Sequence, residues 1–274
     1  MTDDKTLGTM ALGTMYFGTR VDEKMAFAIL DRFVEHGGQW LDTSNNYSFW
    51  TSDTGFGGQS EALLGRWLQS NPGAPVRLST KVGAQPTRVG GFPDHLEGLG
   101  RDTVQASLDA SLQRLGRDRV DLYWAHLEDP RVPIEDLVGT FSGLVSNGLI
   151  DRYGVSNHPS WLVERIRGAA ERAEYVQPTA YQQRFSYYQP LPGCPSTAKR
   201  SRSACCPTTV VTSSGATRAS QAGSTPRRCS VATTGTTGPC RRSTGTRAMT
   251  VDEPPWQPWR TRADSGSARS PLRG

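Results

Sequence analysis

Four residues of this chain, Asp42, Tyr47, Lys81 and His126, carry groups that together could deliver a proton to oxygen. They are an acid, a phenol, an ammonium and an imidazole. A free phenol titrates near about 10, too high to protonate an alkoxide readily at neutral pH. A neighbouring ammonium stabilises the phenolate and lowers that value, and a carboxylate keeps the ammonium charged and in place. The imidazole can donate a hydrogen bond to a carbonyl oxygen and so orient it. Taken singly, each residue has an ordinary explanation. Asp42 could cap a turn, Lys81 and His126 could be structural or solvated, and Tyr47 could be a half-buried strand-end tyrosine. Only joint placement turns them into a site.

The first 189 residues alternate short strands with amphipathic helices, and that alternation supplies the placement. Ala26, Ile29, Leu30 and Phe33 follow the spacing of a helix packed on one face. QWLDTS reads as a buried strand, and Ser60 before Leu63, Leu64, Trp67 and Leu68 reads as the cap of a second helix. VRLSTK is the next strand, and Asp102 can cap a helix carrying Val104, Leu108, Leu112 and Leu115. VDLYWAH is a further strand. The helix of Ile134, Leu137, Val138, Phe141, Leu144 and Val145 ends where Gly148 can take the left-handed conformation. DRYGVSN, a helix marked by Leu162, Ile166 and Ala169, and PTAYQQ complete the series. With LGTMYFG as the first strand, about six strand–helix steps are present. Such repeats imply parallel strands with right-handed crossovers, which a closed barrel and an open doubly wound sheet both satisfy. No G-x-G-x-x-G follows the first strand, which counts against the dinucleotide-binding open sheet. In a parallel α/β barrel, reactive groups gather at the C-terminal strand ends, where Asp42, Lys81 and His126 fall.

These residues, in LDTSNNY, LSTKVG and DLYWAHLEDP, closely resemble the Asp–Tyr–Lys–His tetrad of the aldo-keto reductases. GVSNH after the fifth strand and QQ after the sixth are similar to that family too, as is LGTMYFG at the first. The resemblance spans almost all of residues 7–189. It implies an α/β fold, a TIM (β/α)8 barrel left incomplete at about six βα units. It also implies an NADP-dependent oxidoreductase in which NADPH reduces an aldehyde or ketone. In that scheme Tyr47 is the proton donor, Lys81 tunes it, Asp42 anchors Lys81, and His126 positions the carbonyl. Ser156, Asn157 and Gln182 would hold the nicotinamide carboxamide, and Gly13, Thr14, Met15 and Asp42 would approach the cofactor. The partner would be a small-molecule carbonyl substrate. A non-enzymatic binding subunit on the same barrel is the alternative, which an intact tetrad disfavours. Of the neighbours, Glu61 is expected to cap or pair locally and Asp129 to form a turn. Trp50, Phe56 and Trp124 suit either the core or a substrate pocket.

Composition changes near Pro190. The 274-residue chain carries a formal charge of +5, but its first 189 residues total −5 and the remainder +10. All five cysteines lie beyond the change, in 85 residues without Ile, Phe or Tyr. Such a segment cannot bury enough apolar surface to offset its chain entropy. The expected organisation is therefore a partial barrel over 1–189 and a disordered or out-of-frame tail over 190–274. The chain lacks the strands whose loops would bind the cofactor's phosphates, so activity should be impaired. A basic tail could contact nucleic acid through its arginines, but lysines, interleaved aromatics and a defined module are missing. Zinc-type CxxC and CxxxH spacings are absent, so no metal is expected. A disulfide scaffold does not suit a reducing compartment. No apolar run approaches the roughly 20 residues that span a bilayer, and the acidic N-terminus lacks the order of a secretory signal. The expectation is a cytoplasmic protein with no membrane partner; the sequence does not set its oligomeric state.

The tail's bias toward Arg, Pro, Ala, Gly, Ser and Thr is what a GC-rich gene yields when read out of register. We hypothesise that the reading frame slips just after QPLPG. Shifted by one base, the codons permitted for Lys199 to Cys206 allow one consistent restoration that is an acidic and aliphatic run, more like folded protein. Sequencing the gene tests this, and an uninterrupted frame with the tail as written defeats it.

Overall fold

The computed structural model describes residues 10–184 and 204–208, the last five and Arg184 by their backbone alone. The chain divides into two units, Met1–Gly223 and Ser224–Gly274, and every described residue belongs to the first. Strands and helices alternate as β1 (Ala11–Gly13), α1 (Glu23–Glu35), β2 (Trp40–Asp42), α2 (Gln59–Ser70), β3 (Arg77–Val82) and α3 (Arg101–Leu115). They continue as β4 (Val120–Ala125), α4 (Ile134–Ser146), β5 (Ile150–Ser156), α5 (Ser160–Arg172), β6 (Ala180–Arg184) and β7 (Ala204–Thr208).

All pairings are parallel and the strands stand in chain order, β1 through β7. A doubly wound sheet would reverse its order at a switch point; this one never does. The sheet also curls. In a flat sheet β2 and β6, four strands apart, would lie about 19 Å from each other. Yet Gln182 Nε2 on β6 donates to Asp42 Oδ2 on β2 at 3.3 Å. Sequential order and this cross-sheet contact select the incomplete barrel over the open alternative.

Two apolar layers follow from the strands' two faces. Outward residues such as Leu41, Leu78, Val82, Tyr123, Tyr153 and Val155 pack beneath the helical stripes. Inward, Trp40, Leu122, Trp124 and Ala180 form a separate cluster drawn from β2, β4 and β6. That is the alternate-strand layering of a filled barrel. Gly154 makes the filling possible: a Cβ there would sit 2.6 Å from the Trp124 ring and 2.7 Å from Ala180 O. On the outside, Gly65 lets α2 approach the end of α3, where a Cβ would collide with Arg114 O.

Several local expectations need correction. The first strand covers only Ala11–Gly13, because a turn closed by Phe17 N–H to Thr14 O at 3.0 Å breaks the LGTMYFG run. Ser60 does not cap α2. Gly58, at φ 108°, occupies that place, and Ser60 is buried inside the helix with its hydroxyl bound to Thr14 O, Thr14 Oγ1 and Thr43 Oγ1. Asp102 lies in the first turn of α3 behind the N-cap Gly100 and makes no capping bond. There its charge still meets the positive end of the helix. Gly148 has φ 72°, as its place after α4 requires. Asp129 forms the expected turn, accepting from Arg131 N and Leu99 N.

No strand was expected beyond Pro190, but β7 pairs with β6 over five residues, Ala180↔Ala204 to Arg184↔Thr208. The reason is that an edge strand exposes a row of unpaired backbone groups, which another segment can satisfy with its own backbone whatever its side chains. Pro207, lacking an N–H, is tolerated only in such an edge strand. The remainder of the 190–274 segment lies outside the described residues.

Glu61 proves to be a long-range tie instead of a local cap. Fully buried in α2, it accepts from Thr80 Oγ1 on β3 at 2.5 Å and from Arg114 Nε on α3 at 2.7 Å. Removing Glu61 leaves the buried Thr80 hydroxyl without its acceptor and the partly exposed Arg114 guanidinium without its counter-charge. Glu61→Ala is expected to lower the unfolding free energy by about 3 kcal/mol in urea denaturation. A loss below about 1 kcal/mol, typical of surface pairs, would contradict this role.

Candidate active site

The centre of the site is an ammonium with no access to water. Lys81 is fully buried near the end of β3. Its Nζ donates to Asp42 Oδ2 at 2.6 Å, Thr43 O at 2.7 Å and Tyr47 Oη at 2.8 Å. An ammonium has three donors, and all three are used. Asp42, the last residue of β2, is saturated in turn. Its Oδ1 accepts from Ser79 Oγ at 2.5 Å, while its Oδ2 receives Lys81 and Gln182. A desolvated ion pair holds only when its remaining hydrogen-bonding capacity is met in this way. Burial pushes the Lys81 ammonium down, but the Asp42 charge and then the Tyr47 oxygen carry it net above its ordinary value. Lys81 is a fixed cation.

Tyr47 sits in the β2–α2 loop and is 6% exposed. Its pKa is raised, not lowered as the proton-transfer chemistry led one to expect. Burial disfavours the phenolate by more than the Lys81 charge favours it, and Asp42 adds to the rise. Tyr47 is thus a neutral phenol at neutral pH. Its oxygen accepts from Lys81, and among the described residues its hydroxyl hydrogen finds no protein acceptor.

His126 follows β4, half-buried, with its ring edge-to-face against Tyr47 at 6.0 Å between centroids. Burial holds its pKa well below the usual imidazole value, and the Lys81 charge lowers it further. Its Nδ1 lies 3.2 Å from Ser44 Oγ. The structure therefore brings Asp42, Tyr47, Lys81 and His126 into one cluster at the C-terminal mouth of the sheet.

A hydroxyl and two primary amides lie beside them. Asn157 adopts the left-handed conformation at φ 57°, which asparagine tolerates. That turn aims its Nδ2 at His126 O (3.0 Å) and Ser156 Oγ (3.1 Å), while its backbone N–H binds Gln182 O. Ser156 Oγ approaches Gln182 Oε1 at a loose 3.5 Å. Asn157 Oδ1 has no protein donor among the described residues. This donor–acceptor set is complementary to a primary carboxamide. Near β1 the placement is less open. Thr14 is fully buried, with its hydroxyl committed to Asp42 O and Ser60, whereas Gly13 and Met15 are half-buried.

Sequence reasoning missed Ser79, Ser44 and Asn46. Ser79 was discoverable, since it precedes Lys81 by two and must share its face of the strand. Ser44 and Asn46 lie in a loop, where no period exists to reveal them. Trp124 is an interior filler, while Trp50 joins Tyr16, Phe49 and Phe92 in an aromatic group of edge-to-face and tilted contacts. These four come from the loops after β1, β2 and β3. Phe56 is half-buried, its carbonyl accepting from Ser52 and Gln59. Among the described residues, no group of three or more His, Cys, Asp or Glu could hold a metal, and no helix is long and apolar enough to cross a membrane.

Known proteins are similar to this chain in sequence. An uncharacterized oxidoreductase of Bacillus subtilis (strain 168), YrpG, is 31% identical over 179 residues, covering 65% of this chain and 54% of its own. The norsolorinic acid reductase of Aspergillus flavus is 33% identical over 188 residues, covering 67% of this chain and 45% of its own. A human aflatoxin B1 aldehyde reductase, member 2, is 32% identical over 171 residues, covering 62% and 42%. The chain spans about half the length of the curated relatives it matches. The model of the aldo/keto reductase family matches residues 6–222, beyond the compositional change and past β7. With that match over most of its length, and with its parallel strands curling in chain order, this chain belongs to the aldo/keto reductase family.

Proposed function

We propose that this chain is built for NADPH-dependent reduction of an aldehyde or ketone, with Tyr47 as the proton donor. The observation that carries this reading is the Lys81 ammonium, buried and shared between Asp42 and the Tyr47 oxygen. When bound, the cofactor supplies a hydride to the carbonyl carbon. The protein must then supply a proton to the carbonyl oxygen. Tyr47, kept neutral by burial, has that proton uncommitted to any described protein group. As it leaves, the phenolate that remains lies 2.8 Å from Lys81, whose charge is worth more in a water-poor site than in solution. Asp42, held by Ser79, keeps Lys81 from turning toward any other acceptor. His126 borders the phenol, where a neutral imidazole can hydrogen-bond the substrate and orient it. Ser156, Asn157 and Gln182 would receive the carboxamide, with Gly13, Thr14, Met15 and Asp42 near it. The aromatic group around Trp50 offers an apolar wall for the body of the substrate.

A binding subunit without catalysis is the second reading, and the buried ion pair weighs against it. Desolvating two charges costs several kcal/mol, and carbohydrate, peptide or protein binding on an outer surface requires nothing of the kind. Tyr47→Phe separates the two. Made at the equivalent position of a full-length relative, it is expected to lower carbonyl reduction by at least about 100-fold. Cofactor affinity should stay within about twofold, measured by fluorescence titration. Turnover retained in the variant would refute the proton-donor role.

Cofactor binding by the chain as written is expected to be weak. The segments to which phosphate binding would fall lie in the compositionally altered tail, whether or not a slipped frame produced it. Titration of the full chain with NADPH is expected to show no saturation below millimolar concentration. Submillimolar affinity would contradict the impairment.

A further inference from the structure

A neutral imidazole carries one proton, and its role in a site depends on which nitrogen holds it. For His126 the answer can be worked out from atoms that have only one possible role. The Asn46 side chain places one amide end 3.2 Å from the backbone oxygen of Ala84. A carbonyl oxygen only accepts, so that end must be the NH2 group. The other end, the Asn46 oxygen, then faces Ser44 Oγ at 2.7 Å. An amide oxygen also only accepts, so the single Ser44 hydroxyl proton is spent there. What Ser44 Oγ offers His126 Nδ1, 3.2 Å away, is therefore a lone pair. Ser44 and Asn46 are both buried, which leaves little water to rearrange the chain of bonds.

We propose that Ser44 and Asn46 are positioning residues that hold His126 in its Nδ1–H tautomer and present Nε2 as a hydrogen-bond acceptor. No protein group among the described residues binds that nitrogen. The low proton affinity that burial imposes keeps the ring from gaining a second proton near neutrality. The consequence, which rests on the carbonyl-reductase reading, reverses the part first expected of this imidazole. His126 does not donate to the carbonyl oxygen. Tyr47 is left as the sole acid there, and Nε2 favours ligands that bring an O–H of their own. These are an alcohol, or a carbonyl compound with a hydroxyl beside the reacting group.

The test is long-range 1H–15N correlation spectroscopy of the 15N-labelled full chain, without cofactor or substrate. The chain has four histidines, so His126 is assigned by the signals missing in His126→Gln. The expected pattern has a pyrrole-type Nδ1 and a pyridine-type Nε2; the reverse pattern overturns the proposal. Asn46→Ala frees the Ser44 hydroxyl to turn and donate to Nδ1, so the two nitrogens should exchange character or average. Ser44→Ala should likewise lose the fixed pattern. A His126 pattern unchanged in both folded variants overturns the relay, even if the wild-type pattern is as expected. No turnover is read, so a failure of the Tyr47→Phe test would count against the proposed function and leave this inference intact.

Discussion

A positive charge placed where water cannot reach it is the constraint from which the rest of the structure follows. Lys81 can stay charged only if every one of its protons is met, and the three acceptors come from one strand end and the loop that leaves it. Asp42 must therefore stop β2, Thr43 must turn its carbonyl inward, and Tyr47 must return on the far side. Misplacing any of these by an ångström would leave a buried charge short of a partner, at a cost of several kcal/mol. The loop between β2 and α2 is anchored accordingly. Thr14, Thr43 and Ser60 share hydroxyl bonds beneath it, and Ser48 is tied to Met15 O. The polar groups under the loop are thus a fixture for the cation as much as a link between β1, β2 and α2.

The opposite end of the strands is treated differently. Trp40 opens β2, and two guanidiniums, Arg77 at 5.8 Å and Arg152 at 5.5 Å, lie over its ring. Here the interior is closed by stacking of cations on an aromatic face, which tolerates some solvent. One end of the sheet thus hides a single ammonium at high electrostatic cost. The other lets its guanidiniums hold an indole in place and keeps them partly wet.

Much of this was legible in the chain. Residues with a helical period were read correctly: the stripes of α1 to α5 dictate which of their side chains meet the core. The ends of elements were read less well. Ser60 and Asp102 have the chemistry of caps, yet glycine took the capping position and Ser60 was drawn into a buried hydroxyl cluster whose members lie 17 and 46 residues away. Such a cluster depends on which strands become neighbours, which no local window contains. The direction of the Tyr47 shift was misjudged for a similar reason. Sequence proposes a neighbour such as Lys81, but the depth of burial is a property of the assembled fold, and here depth outweighed the neighbour. The seventh strand was not foreseen, because composition alone led that segment to be read as disordered, whereas a free sheet edge offers backbone groups for pairing.

The glycine at position 154 has a consequence for traffic. By yielding its Cβ volume to the indole of Trp124, it lets that ring lie across the interior one pleat below the polar mouth, with Trp40 and Leu122 packed in the same cluster. Within the described strands the cylinder is plugged like a bottle under its neck. Along the interior of these strands the indole blocks passage, so a molecule that approaches the phenol along that axis arrives from the polar end.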